Sequence, residues 1–222
     1  MEISISKEEL LKLTIHQLEN IFFIGLEEKE SISSILDSVL LRCERCFSKI
    51  TCRYYSSENN VYFSPLHSDQ HAVFLYFLSN SLLHIGEKNL AEKVYRLNKM
   101  MNGNDIYCSV EMPEIFKIEH SIGTIIAPGC KIGNYFKISQ NCTLGNNNGC
   151  LPVLGEHVYM LSGSKIIGNS NIGDHVIVSA NTYIKDTDIP SGSIVFPAIR
   201  GVVIKPIPEK ILHYNNITLF HD

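Results

Sequence analysis

Imidazole is the side chain best suited to take up and release a proton near neutral pH. Of the nine histidines, His120 stands fifteen residues after Asp105, in the run Glu119-His120-Ser121-Ile122-Gly123-Thr124. A carboxylate that accepts a hydrogen bond from one ring nitrogen fixes the tautomer and stabilises the cation formed when the other takes a proton. His120 and Asp105 are thus the candidate base and orienting carboxylate for taking a proton from an attacking hydroxyl or amine. The plain alternative for His120 is a solvated corner histidine. Two other constellations carry less. Cys43, Cys46 and Cys52 have a C-x2-C-x5-C spacing, but the first two fall inside an apolar helical pattern and read as packed thiols. His157 and His175 are 18 residues apart and should stack on an outer corner. Three properly spaced ligands cannot be found, so no metal is expected.

These groups must be positioned by what surrounds them. From Ile126 a large aliphatic or Met recurs every sixth residue: Ile132, Ile138 and Leu144, then after four extra residues Leu154, Met160, Ile166, Ile172, Val178 and Ile184. Period six is neither helix nor flat strand. It reads as a short strand and a tight turn, repeated, with the aliphatics stacked inward as ladders and small companions such as Cys130, Cys142, Ser164 and Thr182 four residues on. Before Gly103 the spacing is three and four. Helices are expected over Lys7 to Ile24 and Ser31 to Ile50, with Gly25 and the charged run Glu27 to Glu30 as the break between them. A third starts at Ser68 or Asp69 and ends at Gly86, and a fourth runs from Asn89 to about Gly103. The organisation expected is a helical domain over 1–103, a β-helix over 104–205 and a tail over 206–222.

The 222 residues carry 19 Lys plus Arg and 23 Asp plus Glu, net −4, so nothing marks a nucleic-acid or anionic-membrane partner. With 45% hydrophobic residues a buried core is expected. The most apolar run, Ala72 to Ile85, is too short and too polar to span a bilayer. Seven cysteines without a secretory pattern at the start suggest free thiols and a cytoplasmic location.

The stretch from Asp105 to Pro197 resembles the hexapeptide-repeat acyltransferases, and the serine acetyltransferases most of all. Asp105-Ile106 matches the family's Asp-Ile-His-Pro, Glu119 to Thr124 its Asp-His-Ala-Thr-Gly, and the separation of fifteen that of its catalytic Asp and His. Asn141-Cys142-Thr143-Leu144-Gly145 matches the segment before its active-site loop, and Ser191 to Ala198 its closing segment. The resemblance implies an α+β chain, a helical region followed by a left-handed parallel β-helix, assembled as a homotrimer or dimer of trimers. It implies acetyl-CoA as co-substrate and acetyl transfer with His120 and Asp105 catalytic. The pantetheine arm would lie along Ser162, Gly163, Ser179 and Ala180, with Pro197 in the segment at the adenine end of CoA, Lys165, Arg200 and Lys205 near the phosphates, and a backbone N–H near Gly145 as oxyanion donor. Glu119, Asn146 and Asn147 are placed on the acceptor side. Tyr107-Cys108 stands where the family has His-Pro, and Glu119 where it has Asp. The loop Asn146 to Val153 is shorter than the family's and lacks the Arg-His pair that holds the carboxylate of serine. The resemblance implies a serine-like small hydroxyl or amine acceptor, while the missing clamp argues against free L-serine, whose carboxylate would go unpaired. A sugar or nucleotide-sugar of surface-polysaccharide synthesis is one alternative, and a non-catalytic β-helix scaffold another.

Overall fold

The computed structural model describes residues 1–58, 60–208 and 220. Four helices come first: α1 Lys7–Glu19, α2 Leu26–Ser48, α3 Ser68–His84 and α4 Lys88–Asn102. Helix α1 starts at a capping box, with Glu9 N–H donating to Ser6 Oγ and Ser6 N–H to Glu9 Oε2. Helix α2 corrects the expected break. The run Glu27 to Glu30 is not a linker but the first turn of the helix, and Gly25 N–H donates to Glu28 Oε2 at 3.0 Å. Acidic side chains favour the positive end of the helix dipole, so a charged run there starts a helix. Helix α3 is buried along nearly its whole length, Asp69 to Leu82 included, because helices and β-helix enclose it. Helix α4 ends at Gly103 in the left-handed conformation, φ 69°. A small sheet of Glu2–Ile3, Ser56–Ser57 and Asn60–Phe63 was not legible in the polar sequence around Ser56.

Beyond Gly103 the chain winds as a left-handed parallel β-helix with three faces. Face I stacks Asp105–Ile106, Ile125–Ile126, Thr143–Gly145, Lys165–Ile167 and Tyr183–Lys185. Face II stacks Lys131–Ile132, Val153–Leu154 and Asn171–Ile172. Face III stacks Phe116–Glu119, Phe136–Ser139, Tyr159–Met160, Ile177–Val178 and Ser193–Pro197. The period of six is the three ladders: Ile126, Leu144, Ile166 and Ile184 on face I; Ile132, Leu154 and Ile172 on face II; Ile138, Met160 and Val178 on face III. All are buried except Ile132, which is half-buried. Val202–Pro206 folds back antiparallel on Ser193–Pro197 and closes face III, ending the repeat with a hairpin the sequence did not announce.

The first coil has no face II strand. Residues 107–115 cross that position instead and are tied to α3: Tyr76 Oη donates to Val110 O at 2.6 Å, and Asn80 Nδ2 to Cys108 O at 2.9 Å. Phe116 packs edge-on against Phe77, with ring centroids 5.5 Å apart. The apolar core therefore runs without a gap from helices into β-helix. Most of the tail after Pro208 lies outside the described residues; Phe220 is buried against Tyr135 and bridges to Ile50.

Candidate active site

The prism has three edges, and the site residues are sorted by which edge they occupy. His120 turns the chain from face III to face I, directly after Phe116–Glu119. It is exposed, and its backbone is left-handed at φ 55°. Its N–H donates to Asp69 Oδ2 at 3.0 Å, and Ser121 N–H donates to Asp69 Oδ1 at 3.2 Å. Ser121 Oγ donates to Asn102 O at 2.6 Å, and Gly123 N–H to Gly103 O at 2.8 Å. Four bonds thus fasten this corner to α3 and the end of α4. Sequence reasoning took Asp69 only as a possible helix cap; nothing local says that its carboxylate reaches across to the β-helix.

Asp105 opens face I one coil below, its N–H bonded to Thr124 O at 2.8 Å, which sets it beside the same corner. Its carboxylate accepts from Tyr95 Oη at 2.5 Å and from Lys99 Nζ at 2.5 Å. Burial pushes this carboxyl up, but the Lys99 and Tyr95 bonds outweigh it and hold it below the usual range. Both partners come from α4, which the sequence did not link to Asp105. Glu119 is held between Lys117 Nζ at 3.2 Å and Lys137 Nζ at 2.8 Å. Burial pushes its carboxyl up and the Lys137 and Lys117 ammoniums bring it below the usual range. The lysine side chains are 8% and 10% exposed, although both point outward from face III. Lys117 and Lys137 each precede a ladder aliphatic on adjacent coils, and that repetition was the signal for their stacking.

Above His120 the same edge continues as a column of small residues. Asn141 N–H donates to Ile122 O, Gly163 N–H to Gln140 O and Asn181 N–H to Ser162 O, at 2.9 to 3.0 Å. Gly123, Asn141, Gly163 and Asn181 alternate, all left-handed at φ 57° to 75°. The glycines give the carboxamides room: a Cβ on Gly163 would stand 2.4 Å from Asn181 Oδ1. Ser162, Gly163, Ser179 and Ala180 lie on this edge, and Pro197 stands in register with Ala180. Four rungs separate His120 from Pro197, about 19 Å at the spacing of stacked strands. Lys165 is adjacent, its Nζ on Gly163 O at 3.1 Å. Arg200 and Lys205 are exposed in the closing hairpin, with Lys205 Nζ 5.8 Å from the Phe196 ring centre.

The remaining candidates occupy another edge. Gly145, Asn146 and Asn147 lie where face I turns to face II, away from His120 within one chain. The loop is a tight hairpin, Asn147 and Cys150 exchanging both backbone bonds at 3.0 Å. Asn146 Oδ1 accepts from Gly149 N–H at 3.0 Å within the turn, and Asn147 Nδ2 donates outside it to Asp186 Oδ2 at 2.6 Å, directly after Tyr183–Lys185. The third edge holds the stacked rings foreseen for His157 and His175, 4.6 Å apart, with Tyr135 4.4 Å from His157 on the other side. All seven cysteines are free thiols, and burial pushes Cys46 up to about 12. Among the described residues no cluster of three His, Cys, Asp or Glu could hold a metal ion.

The β-helix with a small-residue edge headed by His120 defines the fold class: a helical layer followed by a parallel β-helix of hexapeptide repeats. Within it the chain is similar to the serine acetyltransferases. That of Staphylococcus xylosus is 27% identical over 145 residues, 64% of this chain and 66% of that protein. That of Staphylococcus aureus strain Mu50 is 27% identical over 139 residues, 61% and 64%. The chain thus spans slightly under two thirds of these relatives. Among solved structures, Neisseria gonorrhoeae serine acetyltransferase in complex with serine superposes with a TM-score of 0.67 at 19% identity, covering 89% of this chain and 83% of that one. A serine acetyltransferase in complex with CoA gives 0.67 at 18%, covering 88% and 83%. No family model matches.

Proposed function

We propose that this protein is an acetyl-CoA-dependent acetyltransferase that moves an acetyl group directly to a small hydroxyl or amine acceptor. The continuous small-residue edge leading from His120 to Pro197 carries the reading: it offers an extended pantetheine a backbone-lined track that ends at an imidazole. His120 takes the acceptor's proton as its oxygen or nitrogen attacks the thioester carbonyl, and the collapsing intermediate expels the CoA thiolate, which recovers that proton. Asp105 accepts from the imidazole with the lone pairs that Lys99 and Tyr95 leave over. Similarity to serine acetyltransferases makes serine the first acceptor to test. The hairpin at Asn146 to Cys150, which carries no cation, favours a second reading in which the acceptor is an uncharged sugar or nucleotide-sugar group, because an acceptor carboxylate would go unpaired there.

Since that hairpin and His120 stand on different edges, a complete site forms when the hairpin of one protomer faces His120 of the next, as a homotrimer of parallel prisms allows. Free thiols throughout fit a reducing cytoplasm. Among the described residues no helix is long and apolar enough to cross a membrane. The deciding assay follows thiol release from acetyl-CoA with serine and with a panel of amino and nucleotide sugars. Turnover with one of them is expected. No turnover with any, together with no heat of CoA binding, would replace the enzyme with a β-helix scaffold.

A further inference from the structure

We propose that Asp69 is a positioning residue for His120, through which the helical layer sets the geometry of the proton-transfer site. The inference rests on the reading of His120 as the base.

Three observations carry it. Asp69 stands in the first turn of α3, 51 residues before His120 in sequence, and is 7% exposed. Its carboxylate does not turn back to its own helix end; Oδ2 and Oδ1 accept from the N–H groups of His120 and Ser121. Such charge-assisted bonds are the strong kind, and a carboxylate this deeply buried needs them. Next, His120 is held at φ 55°, a left-handed conformation that disfavours a residue with a Cβ. The position in register with Asn141, Gly163 and Asn181 is Gly123, so His120 is an additional left-handed residue at the head of this corner. The N–H groups of His120 and Ser121 are where Asp69 fixes that extra residue from outside the coil. Finally, the tether is anchored on a rigid support. Ser121 Oγ binds Asn102 O, and Asn102 Nδ2 meets Asn98 Oδ1 at 2.9 Å and His71 Nδ1 at 3.2 Å, all buried between α3 and α4. The direction of the imidazole therefore follows the helices and not only the coil that carries it.

Positioning acts on kcat, because a small misplacement of a reacting group costs about tenfold to a hundredfold in rate. Asp69→Ala should lower kcat about tenfold or more and leave KM for acetyl-CoA unchanged. Asp69→Asn, whose one carbonyl oxygen can accept one of the two N–H bonds, should recover part of the loss. In a His120→Ala background the Asp69→Ala change should cost nothing further, since it acts through the imidazole. Hydrogen exchange should show the His120 and Ser121 amides losing protection in Asp69→Ala. Should that variant fold poorly, Asp69→Asn alone is compared with wild type in the same assays. Full kcat in the variant, an equal loss with and without His120, or unchanged amide protection would each overturn the assignment. Absence of turnover in the wild type would instead sink the acetyltransferase reading and this one with it; turnover indifferent to Asp69 would sink this one alone.

Discussion

Two edges of one prism share a backbone and differ in purpose. Where face III turns to face I, the left-handed positions are filled by Gly123, Asn141, Gly163 and Asn181, and the edge stays narrow and open. Where face II turns to face III, the same kind of position holds Tyr135, His157 and His175 at φ 54° to 60°, and their rings stack into a closed column that Phe220 abuts. The coil geometry demands a left-handed residue at both. Small side chains leave the edge uncovered, and rings recover by stacking what the conformation costs. Histidine alone is therefore no marker of function here: His120 heads the open edge and is tethered from outside, whereas His157 and His175 fill the closed one.

The contrast can be broken in order of expected effect. His120→Ala should cut kcat about a hundredfold or more with Tm unchanged, measured by thiol release and thermal melting; the same change at His175 should leave kcat alone. Asp105→Asn should cost about tenfold in kcat, because the amide can still take up Lys99 or Tyr95 contacts but stabilises the imidazolium less well. Ala180→Trp would set a bulky ring on the open edge; KM for acetyl-CoA should rise several-fold, on the order of 1 kcal/mol of lost binding, with the melting curve unmoved. His157→Ala should remove the centre of the ring column and about 1 kcal/mol of stability without touching turnover.

The smallest effect is a pH dependence. Asp105 is held below the usual carboxylate range, with Lys99 raised by the same bond, so the pair's contribution is present above about pH 4, where the unfolded carboxylate is ionised. It is lost as pH falls through the lower folded value. The Tm gap between wild type and Asp105→Asn should narrow on acidification from about pH 5 to pH 2. Because the Asp105 and Lys99 side chains are 35% and 41% exposed, solvent screening keeps that gap small.

The β-helix was legible because each coil repeats one demand, an inward aliphatic every sixth residue, and repetition exposes the period even when single positions are ambiguous. The His157 and His175 stack followed from the same arithmetic. The start of α2 was misread because acidic residues mark both linkers and first turns, and only the bond from Gly25 to Glu28 distinguishes them. Asp105 was singled out for chemistry, but its partners Lys99 and Tyr95 on α4 could not be read from local sequence. Nor could the placement of Gly145, Asn146 and Asn147 on an edge apart from His120, since a loop's edge depends on how many residues each earlier turn consumes.

By itself, then, the amino-acid order determined the winding of the chain and the residues that could move a proton, because periodicity and side-chain chemistry are local properties. Only the tertiary structure decided which carboxylate meets which amide or ammonium. Asp69 reaches His120 and Lys99 reaches Asp105 because α3 and α4 pack against the lowest coils, and contacts between separately folded elements are set by that packing and by no spacing along the chain.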